Sequence, residues 1–362
     1  MSTPRRGRPA VKSQQIENSL RQRLAAGEWL SGATLPNEVV LAAELGVSRV
    51  CLRRALTALT DDGLLTRARG RGTVVTGAEA PRHAGLRRLA LLLRPAPAEE
   101  ERAYHDLLLR GIREALEGQD CSIAFHTCPD SEPPPVSPQW DAFLIHTGLF
   151  DRPLLERLRS EGRPVVGLSR PESDLPMSWV DIDNEAGGAL AMQHLLQRGW
   201  RKPLIIDEAQ RSPFAAARER GIRRVLTEAG IALPEAHVVC SSHIRDAGAA
   251  EAVEAIVAPL LATGAIDSVF VYMERPTIGV YRAIAARGLR VGSDIAVIHC
   301  NDYPWLCEVL QPQPTAIRLP FERVAAEAAR MLLTQARERQ PRDEGRTVAP
   351  ELIVRASCPQ RT

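Results

Sequence analysis

Lysine is almost absent from these 362 residues: only Lys12 and Lys202 occur, so positive charge rests on arginine. Aromatic residues make up 4%, which leaves few candidates for a stacking face. The cysteines, at 51, 121, 128, 240, 300, 307 and 358, are odd in number, form no Cys-x-x-Cys pair and have no histidine pair at zinc spacing. That pattern excludes a disulfide scaffold and a zinc module and reads as reduced thiols, mostly buried, in a cytosol. No stretch approaches about 18 uncharged apolar residues. The opening Met1-Ser2-Thr3-Pro4-Arg5-Arg6 has no apolar run behind its charges, so neither export nor a membrane span is expected. No Gly-x-Ser-x-Gly occurs and the histidines share no motif, which leaves hydrolytic triads without support. Neither a metal nor a cofactor is expected.

What is present is ordinary globular material, 44% apolar and 25% charged, in a chain long enough for two or three folding units. The net charge of +2 conceals an asymmetry. Residues 1–77 carry 12 Arg or Lys against 6 Asp or Glu, a balance of +6; the remainder carries 34 against 38, a balance of −4. A basic head on a slightly acidic body suggests nucleic-acid binding at the front.

The head reads as three helices and a hairpin. Ile16, Leu20 and Leu24 recur every four residues in a predicted helix over 13–26, which Gly27 ends. Asn37 is placed to cap a second helix carrying Val40, Leu41 and Leu45, and Gly46 stops it. Ser48 is placed to cap a third, running to about Asp62 with Leu52, Ala55, Leu56 and Leu59 inward and Arg49, Arg53 and Arg54 near its N-terminal half. Two short helices joined at Gly46-Val47 form a helix-turn-helix. Leu64-Leu65-Thr66 and Thr73-Val74-Val75 then flank the basic, Gly-rich Arg67-Ala68-Arg69-Gly70-Arg71-Gly72 as a two-stranded wing.

These residues carry a resemblance. Leu35-Pro36-Asn37-Glu38, Leu45-Gly46-Val47-Ser48-Arg49, Leu52-Arg53-Arg54-Ala55-Leu56, Gly63-Leu64 and Gly70-Arg71-Gly72-Thr73-Val74-Val75 look like a GntR-family winged helix over about residues 13–76, with Asn37 and Cys51 standing where the family usually has Ser and Thr. The resemblance implies that Arg49 and Arg53 enter the major groove of double-stranded operator DNA. It implies that Arg69, Gly70 and Arg71 reach the minor groove or its backbone. Arginine donates two bonds to guanine O6 and N7, and glycines let the backbone approach phosphate, so the chemistry agrees. Asn37, Ser48, Cys51, Arg54 and Gly72 complete the expected DNA-facing set. Ahead of it, Arg5-Arg6-Gly7-Arg8-Pro9 resembles an AT-hook within a disordered arm over residues 1–12; Arg6 and Arg8 either insert into an A·T minor groove or add nonspecific phosphate affinity.

Residues 77–87 are rich in small residues without apolar period and are expected to form a linker. Beyond them, strand-like runs near 89–93, 122–126, 142–146, 164–168, 203–206, 238–240, 268–272 and 295–299 alternate with helical stretches. That alternation predicts an α/β body of two doubly wound parallel-sheet lobes. Val180-Asp181-Ile182-Asp183-Asn184-Glu185, Arg218-Glu219-Arg220-Gly221-Ile222, Gly292-Ser293-Asp294-Ile295-Ala296-Val297, Gln311-Pro312-Gln313-Pro314-Thr315 and Pro350-Glu351-Leu352-Ile353 occur in the order found in the LacI/GalR family, whose sensor is periplasmic-binding-protein-like. The match spans about 88–358. It implies a first lobe of about 88–182 and 312–358, a second of about 183–311, and an effector between them.

Carried over position by position, the resemblance implies that Arg218 bonds ligand hydroxyls or a carboxylate, with Ser212 and Phe214 in the same loop. The family's Asn-Asp pair after the next strand stands here as Met273-Glu274, and its Gly-Phe-Asp-Asp run as His299-Cys300-Asn301-Asp302. Glu274, Asn301 and Asp302 therefore join the expected effector set, and Phe150, Tyr303 and Trp305 are candidate stacking faces. The family's hinge helix has no counterpart in 77–87, so coupling is expected to run through a looser tether. The whole resembles the arrangement of arabinose-responsive regulators and implies a cytoplasmic, nucleoid-associated homodimeric regulator, a repressor by default, controlled by a sugar-like molecule. A body that resembles an aminotransferase would need a Schiff-base lysine, for which only Lys202 is available. A chorismate-lyase-like sensor would be much shorter than this body. A ligand-independent interaction body stays open, because the cleft residues depart from the family.

Overall fold

The computed structural model describes residues 16–61, 64–76, 86–128, 136–171, 174–208, 213–241 and 248–361, without 18, 22, 25–27, 31, 69–71, 96, 97, 138, 147, 148, 150 and 339. In the head, helical residues lie between 16 and 24, followed by α1 (Glu38–Glu44), α2 (Arg49–Asp61) and the antiparallel strands β1 (Leu65–Ala68) and β2 (Gly72–Val75). Both predicted caps form: Asn37 Oδ1 accepts from the amides of Val39 and Val40 at 3.0 Å, and Ser48 Oγ accepts from the amide of Cys51 at 3.3 Å. Gly46 takes φ +63 in the turn between the helices. Ile16, Leu20, Leu35, Leu41, Leu52, Leu56, Leu59, Leu65 and Val75 close one small core.

The body holds two six-stranded sheets. The first contains β3 (Arg88–Leu93), β4 (Ser122–Thr127), β5 (Ala142–Ile145), β6 (Val165–Gly167), β7 (Ser178–Ile182) and β13 (Gly345–Val348), in the order β13-β7-β6-β5-β3-β4 and parallel throughout. The second contains β8 (Pro203–Glu208), β9 (Val238–Ser241), β10 (Ser268–Val271), β11 (Ala296–Cys300), β12 (Thr315–Arg318) and β14 (Glu351–Ile353), in the order β14-β12-β11-β10-β8-β9. Only β14 runs antiparallel there. Helices α3 (Ala98–Ala115), α4 (Arg152–Ser160) and α10 (Phe321–Glu338) serve the first sheet. The second lobe has α5 (Asn184–Gln197), α6 (Pro213–Glu228), α7 (Ala249–Ala262), α8 (Glu274–Ala286) and the short α9 (Pro304–Cys307).

The strands are apolar because both faces are covered. Along β3, Leu89, Leu91 and Leu93 join the cluster shared with α3 and α10, while Ala90 and Leu92 join the one under α4. The larger cluster runs on through Ile182, Ile317 and Leu319 to Ile205, Phe270 and Ile298, so the lobes share apolar packing at the crossovers. Among the described residues no helix is long and apolar enough to cross a membrane.

Two sequence expectations shift. Residues 312–358 do not all return to the first lobe: β12 extends the parallel edge of β11, and β14 pairs β12, so both belong to the second sheet. Only α10 and β13 go back to the first. The expected linker is also shorter at its end, since Leu86 is buried in the first lobe; 77–85 lie outside the described residues. Nor is the tether the only link between head and body. Glu17, in the first helical stretch, accepts from Arg21 at 2.8 Å and lies 3.6 Å from Arg88 at the start of β3.

Close helix crossing fixes the second lobe. A Cβ at Gly188 would overlap the carbonyl oxygen of Arg218, and one at Gly221 that of Glu185. Two hydrogen side chains are thus what let α6 lie against α5, and that approach carries Arg218 to its partners.

Candidate nucleic-acid interface and interlobe site

On the head, Arg49, Arg53 and Arg54 are exposed at the start of α2, opposite the buried Leu52, Ala55, Leu56 and Leu59. Arg53 donates to Glu38 at 2.7 and 3.1 Å, tying the second turn of α2 to the first residue of α1. The hydrogen bond from Arg53 holds the Glu38 carboxyl below its usual range, helped by Arg67 and Arg49. One carboxylate therefore holds Arg53 by hydrogen bonds, lies 4.0 Å from Arg67 and feels the charge of Arg49, while Arg53 keeps three of its five N–H donors free of Glu38.

The remaining expected contacts divide. Asn37 and Ser48 spend their side-chain oxygens on caps. Cys51 packs against the head core, where a small apolar thiol fits better than an exposed polar group. Gly72 opens β2 at φ +84. Arg6, Arg8, Arg69, Gly70 and Arg71 lie outside the described residues.

In the body, β8 is flanked by β9 on one side and β10 on the other, so chain direction diverges between β8 and β10. Their carboxyl ends form the crevice where open α/β sheets bind ligands. Asp207 stands at the end of β8 and Glu274 starts α8 just after β10. Arg218 reaches into this point from α6, 1% exposed. Its Nε and Nη2 donate to the two oxygens of Asp207 at 3.1 and 2.9 Å, and Nη1 donates to Asn184 Oδ1 at 2.9 Å. Its guanidinium lies over the Tyr272 ring, 3.1 Å from the centroid.

Beside it, Asn301 sits at φ +69 after β11, a conformation that few residues other than glycine adopt. Its Nδ2 donates to the buried Glu274 carboxylate, while its Oδ1 is buried without a hydrogen-bond partner. From the first lobe, Asp181 near the end of β7 has its carboxyl raised by burial, against the opposing amide donors of Arg170 and Ile182. Acceptors predominate around the crevice.

Other expected effector residues fare differently. Asp302 is held by Arg318 and Arg355, each at 2.6 Å, so its oxygens serve the crossover region. Burial acts to raise its carboxyl, but those two arginines outweigh burial and hold it low. Phe214 is half-buried on α6, Tyr303 is buried, and Trp305 is 41% exposed on α9. Phe150 and Ser212 lie outside the described residues. Sequence reasoning missed Asp207, Asn184, Tyr272 and Asp181. A carboxylate ending the apolar run Pro203-Leu204-Ile205-Ile206 was the available signal, since a charge there must find a partner.

Behind the site, His299 is fully buried, with Nε2 3.5 Å from the Cys307 sulfur and Nδ1 unpartnered. Burial pushes its imidazole down to about 3. Between pH 6.5 and 3 the unfolded chain binds a proton here that the folded chain does not, so this residue costs stability as pH falls below 6.5. At pH 5 the cost is about 2 kcal/mol. Denaturant titrations at pH 7.5 and 5 should show wild type losing about that much more than His299→Gln; equal losses would mean the imidazole is protonated in place.

The chain matches the family described as bacterial regulatory proteins, gntR family, over residues 12–75, and the periplasmic binding protein-like domain over 192–358. It is 28% identical over 220 residues to the HTH-type transcriptional regulator DegA of Bacillus subtilis, a match covering 60% of this chain and 64% of DegA. It is 30% identical over 217 residues to the HTH-type transcriptional regulator CelR of Thermobifida fusca, covering 59% and 60%. In these matches the chain spans about three fifths of the relatives' length. A LacI family transcriptional regulator from Enterococcus faecium with bound ribose has the same body fold, with a TM-score of 0.63 at 21% identity over 76% of this chain and all of that one. The chain thus joins a gntR-family regulatory domain to a periplasmic binding protein-like domain with the two-lobed fold of LacI-family regulators.

Proposed function

We propose that this protein is a transcription regulator, and no enzyme, that binds operator DNA through its winged helix and adjusts that binding to a small molecule held between the lobes. The observation that carries the reading is the pairing on one chain of an outward arginine face on α2 with a built polar cluster at the β8–β10 crevice. The unpartnered acceptor of Asn301 and the carboxylates of Asp181 and Glu274 favour a ligand rich in hydroxyl donors, which is sugar-like chemistry. A homodimer would present two heads to a two-fold operator, and a ligand-driven change in lobe angle would alter their spacing. Repression is the default sign for such a device.

The second reading, a body that binds no ligand, draws on Arg218, Glu274 and Asp302 being engaged within the protein. Thermal shift of the full chain against sugars, nucleosides and polyols separates the two. One compound should raise the melting temperature and change affinity for a DNA duplex that the protein enriches from a random library. Asn301→Gly, which keeps the backbone conformation and removes the side chain, should lose that response. A library without any stabilising compound would favour the second reading.

A further inference from the structure

Among the described residues of the head, four large apolar side chains stay in solvent: Leu30, Val39, Val40 and Val50, at 75%, 57%, 52% and 66% exposure. Single exposed valines need no explanation. The placement of Val50 does. On α2 it points away from the core formed by Leu52, Ala55, Leu56 and Leu59, and one turn later the same outward face carries Arg53 and Arg54. Val39 and Val40 open α1, next to the Glu38 that accepts from Arg53, so the apolar side chains at the two helix starts are joined through that ion pair.

Charge decides what such a surface can meet. Arg49, Arg53, Arg54 and Arg67 are all exposed around it, and a second copy of the same face would bring like charges together. A polyanion would be attracted. Within the major groove of DNA, the group that offers apolar contact is the C5-methyl of thymine; the other base edges present donors and acceptors.

Resting on the DNA-binding reading above, we infer that Val50 reads thymine methyl groups, so that each half-site pairs arginine-read guanine with at least one methyl-read thymine. Val50 does not belong to the polar set expected to contact DNA. A valine at this position discriminates without a hydrogen bond, by packing against the methyl where cytosine would present only a ring hydrogen. The preference is therefore modest per contact and repeats in each half-site of a dimer.

The test uses the full chain and a duplex that it enriches from a random double-stranded library made with thymine. Each thymine is then replaced singly by uracil, which removes only the methyl group, and affinity is read by fluorescence anisotropy at fixed salt. One or two positions per half-site should lose about threefold to fivefold. Val50→Ala should bind the thymine duplex as wild type binds the uracil one and should respond to uracil at those positions by less than about twofold. The inference is overturned if uracil is neutral everywhere, if Val50→Ala keeps the full uracil penalty, or if Val50→Ala changes the oligomeric state instead. If no duplex is enriched, the DNA-binding reading fails and this inference fails with it; enrichment with neutral uracil leaves that reading standing.

Discussion

Arg218→Ala is expected to lose about 3–5 kcal/mol of folding stability, which for a body of this size lowers the melting temperature by on the order of 10 °C. The loss would come less from the missing guanidinium than from what it leaves behind. Asp207 would stay buried, with 5% of its surface exposed, and both of its oxygens would lose an arginine donor. The double variant Arg218→Met with Asp207→Leu, which removes both charges and keeps the volume, should recover most of the loss. A pair of calorimetric scans decides it. If Arg218→Ala melts within a few degrees of wild type, the pair is solvated in solution and the crevice is wetter than its geometry indicates.

The exposed arginines of the head should behave in the opposite way. Arg53→Ala removes an ion pair that sits at the surface, so the melting temperature should hardly move. Operator affinity should fall about tenfold to a hundredfold, with preference relaxed at one base pair, as expected for loss of a bidentate contact to guanine. Arg54→Ala should weaken all sequences alike and lower the salt slope by about one, if it contacts only phosphate. Binding curves at several salt concentrations on the enriched duplex and on single-base variants distinguish the two. Unchanged base preference in Arg53→Ala would place the reading side chains elsewhere on α2.

The contrast between these two arginines shows how far the sequence could be read. Arg53 was legible because its surroundings are local: a cap at Ser48, an apolar face four residues deep and a Gly-rich wing all lie within about thirty residues of it. Arg218 was legible as a residue of interest and not as what it is. Its partners Asn184 and Asp207 lie 34 and 11 residues away, and Tyr272 comes from another strand end. Glycine again shows the limit. Gly188 and Gly221 read as ordinary helix residues, and only the crossing of α5 and α6 shows that neither position has room for a methyl group.

The lobe boundary follows the same logic. The sequence assigned 312–358 to the first lobe, and nothing in residues 315–318 themselves argues otherwise, because Thr315, Ala316 and Ile317 would bury equally well in either sheet. Docking beside β11, with Ser357 accepting from the Thr315 amide at 2.7 Å, assigns them to the second lobe.

By itself, then, the sequence determined the basic winged head, its caps and turn glycine, and the α/β alternation of the body, since propensity, period and capping act over a few residues. The tertiary structure decided that Asp302 serves the crossover, that Arg218 is held by Asp207, and that Glu17 meets Arg88 across the linker. Those outcomes depend on distances between residues far apart in the chain, and burial sets which charges must pair.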